Sequence, residues 1–235
     1  MLYWKKMPSL WVGTKLTILN NYGTAPAIAA IKIFLTFCLF CEKNPEGIRT
    51  IKITFSQIGE AASLSRSLVN QGLKILRDEG LILDLSSSPR KKTYTVDVDG
   101  ELKDGWAKLP FKGVVTEDKT IPAFNSMHNR YPFELLALQL YLYLLYARDN
   151  KNDFTLARKL TLMIKLKCKL SELNKAITYL IHIGLLKTIK QKKEEDYPSE
   201  MFHDSFYFYM TSAGTNAFTY RKTKQITVRE EDLPF

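Results

Sequence analysis

Apolar positions along this chain follow helical spacing in some stretches and alternate in others. Val69, Leu73 and Leu76 fall four and three apart, the spacing that places side chains on one face of a helix. Ser65 stands ahead of that stripe as an N-cap, its hydroxyl able to accept a free backbone N–H. Gly80 follows the last turn, where a left-handed residue ends a helix, and Leu81, Ile82 and Leu83 leave as a strand. Upstream, Ile53 to Glu60 reads as a shorter helix, with a tight turn before Ser65. Downstream, Ser86-Ser87-Ser88-Pro89-Arg90-Lys91-Lys92 is a basic hairpin tip, and Thr93 to Val98 alternates as its return strand.

The pattern comes twice. Ala29 to Phe40 lies over Leu136 to Ala147 nearly position by position, each apolar run including a polar residue at the same place, Lys32 or Gln139. Leu173, Ile177, Leu180 and Gly184-Leu185-Leu186 repeat the spacing of Val69, Leu73, Leu76 and Gly80-Leu81-Ile82. Between them lie Phe154-Thr155-Leu156 and a short helix near Ala157 to Lys165. The second hairpin is longer, Lys190 to Pro198, with a return strand around Asp204 to Met210. A repeat of this period weighs more on the fold than any single motif.

Helix, turn, longer helix, strand and basic hairpin is the order of a winged helix-turn-helix, whose second helix fits the DNA major groove. The fold class expected is therefore mainly α with small β-hairpins (α+β), as two winged helix-turn-helix domains in tandem by internal duplication. Residues 1–21 read as an N-terminal arm or strand, 22–98 as the first domain and 99–132 as an extended linker anchored by Trp106. Residues 133–217 read as the second domain and 218–235 as a tail.

On the first longer helix Arg66, Ser67, Asn70, Gln71 and Lys74 point away from the apolar stripe. These types suit DNA: Arg reads guanine, Asn or Gln reads adenine, and Lys holds the backbone. Arg90, Lys91 and Lys92 give the first wing a tip suited to phosphates. In the second copy Lys165, Lys167, Lys169, Asn174, Lys175 and Thr178 flank or lie off the stripe, and Lys190, Lys192 and Lys193 stand on the wing. A solvated lysine-rich surface is the blander account of any one of these groups. Their joint order weighs against it.

Charge supports the same partner. The 235 residues carry a formal net charge of +10, which favours an anionic partner, nucleic acid or an anionic membrane surface. Phe154 to Lys193 holds ten Lys or Arg against one acid, Glu172. No GxxxxGK[ST], GxGxxG or HExxH motif is present, and His128, His182 and His203 are scattered, so no enzyme, cofactor or metal is expected. Cys38, Cys41 and Cys168 read as packing residues. The apolar run from Ala25 to Cys41 is short for a membrane span and contains Lys32, so it reads as a core helix. With no secretory signal, a cytoplasmic, nucleoid- or plasmid-associated protein is expected.

Two winged helices in a chain of this size resemble the replication initiators of plasmids and related mobile elements. The resemblance is one of architecture, carried by the patterns at Ser56–Ile82 and Ala157–Leu186. It implies origin binding by both domains, recruitment of replication machinery and, in some such proteins, repression of their own gene as dimers. A transcriptional regulator with one domain on DNA and the other in a homodimer stays open, as does an adaptor that binds proteins. The basic helices favour double-stranded DNA.

Overall fold

Two helices that are apolar on every side fix the architecture, because such a helix must be covered all round. The computed structural model describes residues 3–45, 47–87, 91–98, 105–149, 151–191 and 205–211. In chain order it has β1 (Trp4–Pro8), α1 (Leu10–Lys15), a 3-10 stretch (Leu16–Tyr22), α2 (Thr24–Phe40), β2 (Glu42–Lys43), β3 (Arg49–Ile53), α3 (Phe55–Ala62) and α4 (Arg66–Asp78). There follow β4 (Leu83–Asp84), β5 (Lys92–Thr95), β6 (Trp106–Pro110), α5 (Pro122–Asn125), α6 (Pro132–Ala147), β7 (Phe154–Arg158), α7 (Lys159–Leu166), α8 (Leu170–His182), β8 (Leu186–Gln191) and β9 (Ser205–Met210). The protein is thus α+β, with eight α-helices and small antiparallel sheets among the described residues. Every residue from Ala27 to Leu39 of α2 is buried, which explains why the run from Ala25 is apolar without spanning a membrane. Among the described residues no helix is long and apolar enough to cross one.

α2 packs against α3, α4 and β1, and α6 against α1, α8 and β6. The two helices also pack on each other, so a single apolar core runs from Met7 to Met210. Around each, the order strand, helix, helix, strand, strand recurs, with sheets ordered β2-β3-β5-β4 and β7-β9-β8. α3 and α7 have 8 residues each, α4 and α8 have 13. A left-handed residue follows each shorter helix, Ser63 at φ 51° and Lys167 at φ 53°. A left-handed glycine follows each longer one, Gly80 at φ 69° and Gly184 at φ 79°, as the sequence predicts.

Several boundaries differ from expectation. Ile53 ends a strand, and the first short helix begins after Thr54, whose hydroxyl accepts from Gln57 N while Gln57 caps Thr54 N in return. α7 begins at Lys159 because Ala157 and Arg158 pair with β9. Leu81 and Ile82 are buried but precede the two-residue strand β4. The segment 99–132, read as an extended linker, contains β6 and α5. β6 pairs with β1 over five residues, burying Ala107 and Leu109 and turning Trp106 and Lys108 outward. Ile121, Phe124 and Met127 then bury into the core at spacings of three. Residues 212–217 and the tail at 218–235 lie outside the described residues.

α4 approaches the α2 backbone closely at Gly72. A Cβ there would stand 2.8 Å from Ile33 Cδ1, 2.9 Å from Ala29 C and 3.0 Å from Ala30 N, and backbone atoms of α2 cannot yield. Gly72→Ala is expected to destabilise the protein by about 1–3 kcal/mol through overpacking. Urea unfolding checks this. A stability at or above that of the parent would mean that α4 does not need this approach.

Candidate nucleic-acid interface

The outward face of α4 is built by its inward face. Val69, Gly72, Leu73, Ile75 and Leu76 are buried, and Ser65 Oγ accepts from Leu68 N at 3.3 Å to start the helix. Arg66, Ser67, Asn70, Gln71 and Lys74 are consequently all exposed on one surface. Acids on this helix come only at its end, with Asp78 and then Glu79, and Glu79 accepts from the Tyr22 hydroxyl.

The adjoining hairpin is less open than its sequence suggests. Lys91 is exposed, but Lys92 is half-buried, with Nζ 3.8 Å from Asp84 Oδ2, and Arg77 Nη1 lies 3.9 Å from the same oxygen. Asp84 also accepts from Ser86 N at 3.0 Å. An acid at the root of the hairpin thus holds one of the cations expected to reach phosphates. Arg90 lies outside the described residues.

In the second unit Leu173, Ala176, Ile177 and Leu180 face inward, and Lys169 N donates to Glu172 Oε2 at 2.8 Å. Asn174, Lys175 and Thr178 are exposed on α8. Lys165 at the end of α7, Lys167 in the turn and Lys169 at the cap are exposed beside them. Lys175 Nζ lies 4.3 Å over the Phe133 ring, and Lys190, exposed on β8, lies 5.6 Å from the Tyr209 ring. Lys192 and Lys193 lie outside the described residues.

Set helix on helix, Ser67 and Ser171 occupy one outward position and Asn70 and Asn174 another. Ser171 is absent from the sequence reading, although aligning the copies on Gly80 and Gly184 brings it out. Where α4 has Arg66, Gln71 and Lys74, α8 has Leu170, Lys175 and Thr178.

A buried polar network connects the two helix pairs. Lys32 in α2 is 0% exposed. Its Nζ donates to Ser63 O at 3.2 Å in the α3–α4 turn, to Phe124 O at 3.2 Å and to Asn129 Oδ1 at 2.7 Å. Asn129 Nδ2 donates to Ser63 O at 3.1 Å. The loop around Asn129 is held by Glu134 of α6, which accepts from the backbone N–H of His128 at 2.6 Å, Arg130 at 3.0 Å and Tyr131 at 3.0 Å. Glu134 accepts further from the Tyr179 hydroxyl of α8 at 3.0 Å. Burial alone would raise the Glu134 carboxyl, but these donors outweigh it and hold it below the usual carboxylate range. Burial pushes the Lys32 amine down to about 7 against a raising influence from Glu134.

Other candidate chemistry is sparse. Among the described residues no group of three or more His, Cys, Asp or Glu side chains is placed to hold a metal. Cys38 and Cys41 are buried, and burial pushes both thiols up. No family model, no curated protein and no solved structure matches the chain.

Lys32 has a direct consequence for stability. Its proton is held less tightly folded, at about 7, than at the ordinary 10.5. Between those values the unfolded chain binds the extra proton, so stability rises with pH through that window. The raised thiols and phenols act in the opposite sense only near and above their ordinary values of 9.0 and 10.0. From about pH 6.5 to about 8.5 the thermal midpoint is therefore expected to rise in the parent protein and stay nearly level in Lys32→Met. Circular dichroism melts check this, and equal slopes in the two proteins would assign the dependence elsewhere.

Proposed function

We propose that each repeated unit is a winged helix and that the chain is a sequence-specific double-stranded DNA-binding protein, acting as a replication initiator of a plasmid or mobile element. The observation that carries this is the pair of outward helix faces. α4 and α8 present Ser and Asn at equivalent exposed positions, with exposed cations beside them. A short polar side chain with a bidentate amide is suited to base edges, and the surrounding Arg and Lys to phosphates. Two such faces on one core favour tandem recognition, in which each unit reads part of a longer site.

A second reading has its own support. On α7, Leu160 is 61% exposed and Ile164 66%, one turn apart, and Leu170 opens α8 at 47%. Such a face suits a homodimer, as in a transcriptional regulator that reads a palindrome.

Selection of bound sites from a random duplex pool, followed by footprinting, tests both. Direct repeats protected by a monomer support the initiator, and a palindrome protected by a dimer supports the regulator. On the selected site Asn70→Ala and Asn174→Ala are each expected to cost about 1–3 kcal/mol of binding free energy, and much less on unrelated duplex. Equal losses on both duplexes would restrict these residues to backbone contacts. No enrichment of any sequence would remove the proposal.

A further inference from the structure

The ribbon of β1 and β6 carries a surface that the helix faces do not explain. On its inner side Met7, Ala107 and Leu109 are buried in the core, with Lys5 half-buried beside them. On its outer side Lys6 pairs with Lys108 in register, flanked diagonally by Trp4 and Trp106. The two indoles stack, with centroids 5.4 Å apart and planes 9° from parallel. Lys6 Nζ lies 4.3 Å over the Trp106 ring, and Lys108 Nζ 5.1 Å over Trp4. The pattern extends past the strands: Lys112 N donates to Tyr3 O, and Lys112 Nζ lies 5.0 Å over the Tyr3 ring. Tyr3 is 54% exposed and Trp4 37%. No acidic residue occurs from Tyr3 to Pro8 or from Trp106 to Gly113.

We infer that this ribbon binds single-stranded nucleic acid, stacking unpaired bases on Tyr3, Trp4 and Trp106 and placing phosphates on Lys6, Lys108 and Lys112. Ring faces grip bases only where the bases are unpaired, since a duplex hides base faces in its own stack. Each ring is covered by a flexible ammonium. An arriving base takes that place on the ring, and the ammonium moves to the base's own phosphate. Neither residue type loses its partner in the exchange. Such interleaving of aromatic faces with cations suits a strand of any sequence. Five paired residues span roughly 17 Å, room for a few nucleotides. Indoles and ammonium groups also occur at membrane interfaces, but the outward face between the prolines has no aliphatic wedge to insert, which favours the nucleic acid.

The test uses the full chain with a labelled twelve-residue oligothymidylate, the selected duplex and vesicles of phosphatidylserine and phosphatidylcholine. Lys6→Gln with Lys108→Gln is expected to weaken oligothymidylate binding at least tenfold and to lower its log–log salt slope by roughly 1.4, about 0.7 per lost contact. Trp4→Leu is expected to weaken it roughly 5- to 100-fold. Duplex affinity should stay unchanged in both variants. Because Trp4 also packs in the ribbon, the unaltered chain is cross-linked to a 5-iodouracil oligonucleotide as well. Adducts on Tyr3, Trp4 or Trp106 support the site, and adducts confined to α4 or α8 overturn it. Vesicle binding without oligothymidylate binding overturns it in favour of a membrane surface. Loss of duplex recognition alone would count against the double-strand proposal and leave this one standing.

Discussion

A buried amine inside an apolar helix is the constraint around which this fold is arranged. Lys32 sits where α2 is otherwise apolar on all sides, and an unpaired buried ammonium is too costly to persist. Its three acceptors come from three different places: the α3–α4 turn, the carbonyl end of α5 and the Asn129 side chain. Satisfying one side chain therefore fixes the turn that aims α4 and pins the segment between the two repeated units. Gln139, its counterpart in α6, does the same on the other side, donating to Leu16 O at 3.2 Å and Asn20 Oδ1 at 2.7 Å. In each apolar helix a buried polar side chain at the equivalent position, Lys32 or Gln139, thus ties down a neighbouring segment.

This arrangement explains why the segment around 121–131 packs so closely. Glu134 caps the start of α6 and gathers the loop N–H groups, and Tyr179 brings α8 onto the same carboxylate. The path from Ser63 to Tyr179 is continuous in hydrogen bonds and packed loop backbone. α4 and α8 are therefore connected through buried and half-buried polar groups as well as through the chain between them. Units fixed in this way gain from bivalent binding only if their spacing already matches the ligand, since little freedom remains to adjust it.

Much of the repeat was legible because helix ends obey local rules. Ser65, Gly80 and Gly184 act through caps and left-handed backbone, which depend on residue type and little else. The exposed faces followed from the buried stripes for the same reason. The β1–β6 ribbon was not legible, since its strands are a hundred residues apart and each alone is only five residues of alternation. The pairing Trp4 with Pro110 and Pro8 with Trp106 exists only in three dimensions. The surroundings of Lys92 were hidden for a related reason: a basic run reads as free charge until Asp84, from the neighbouring strand, is seen to reach it.

The two repeated units differ in a way that bears on how one chain would use both. α4 opens with Arg66 and carries Gln71 and Lys74 outward, a face of hydrogen-bonding groups with few apolar atoms. α8 opens with the exposed Leu170 and is flanked by lysines in its turn and cap, and its short partner α7 exposes Leu160 and Ile164. The first face has directional hydrogen-bonding groups of the kind that suit base edges. The second has more undirected charge, which strengthens binding with little regard to sequence. On the proposed reading the first unit contributes more of the specificity and the second more of the affinity. The same division accounts for the apolar side chains of α7, which the second unit tolerates, or uses for another protein surface, without interrupting a base-reading face.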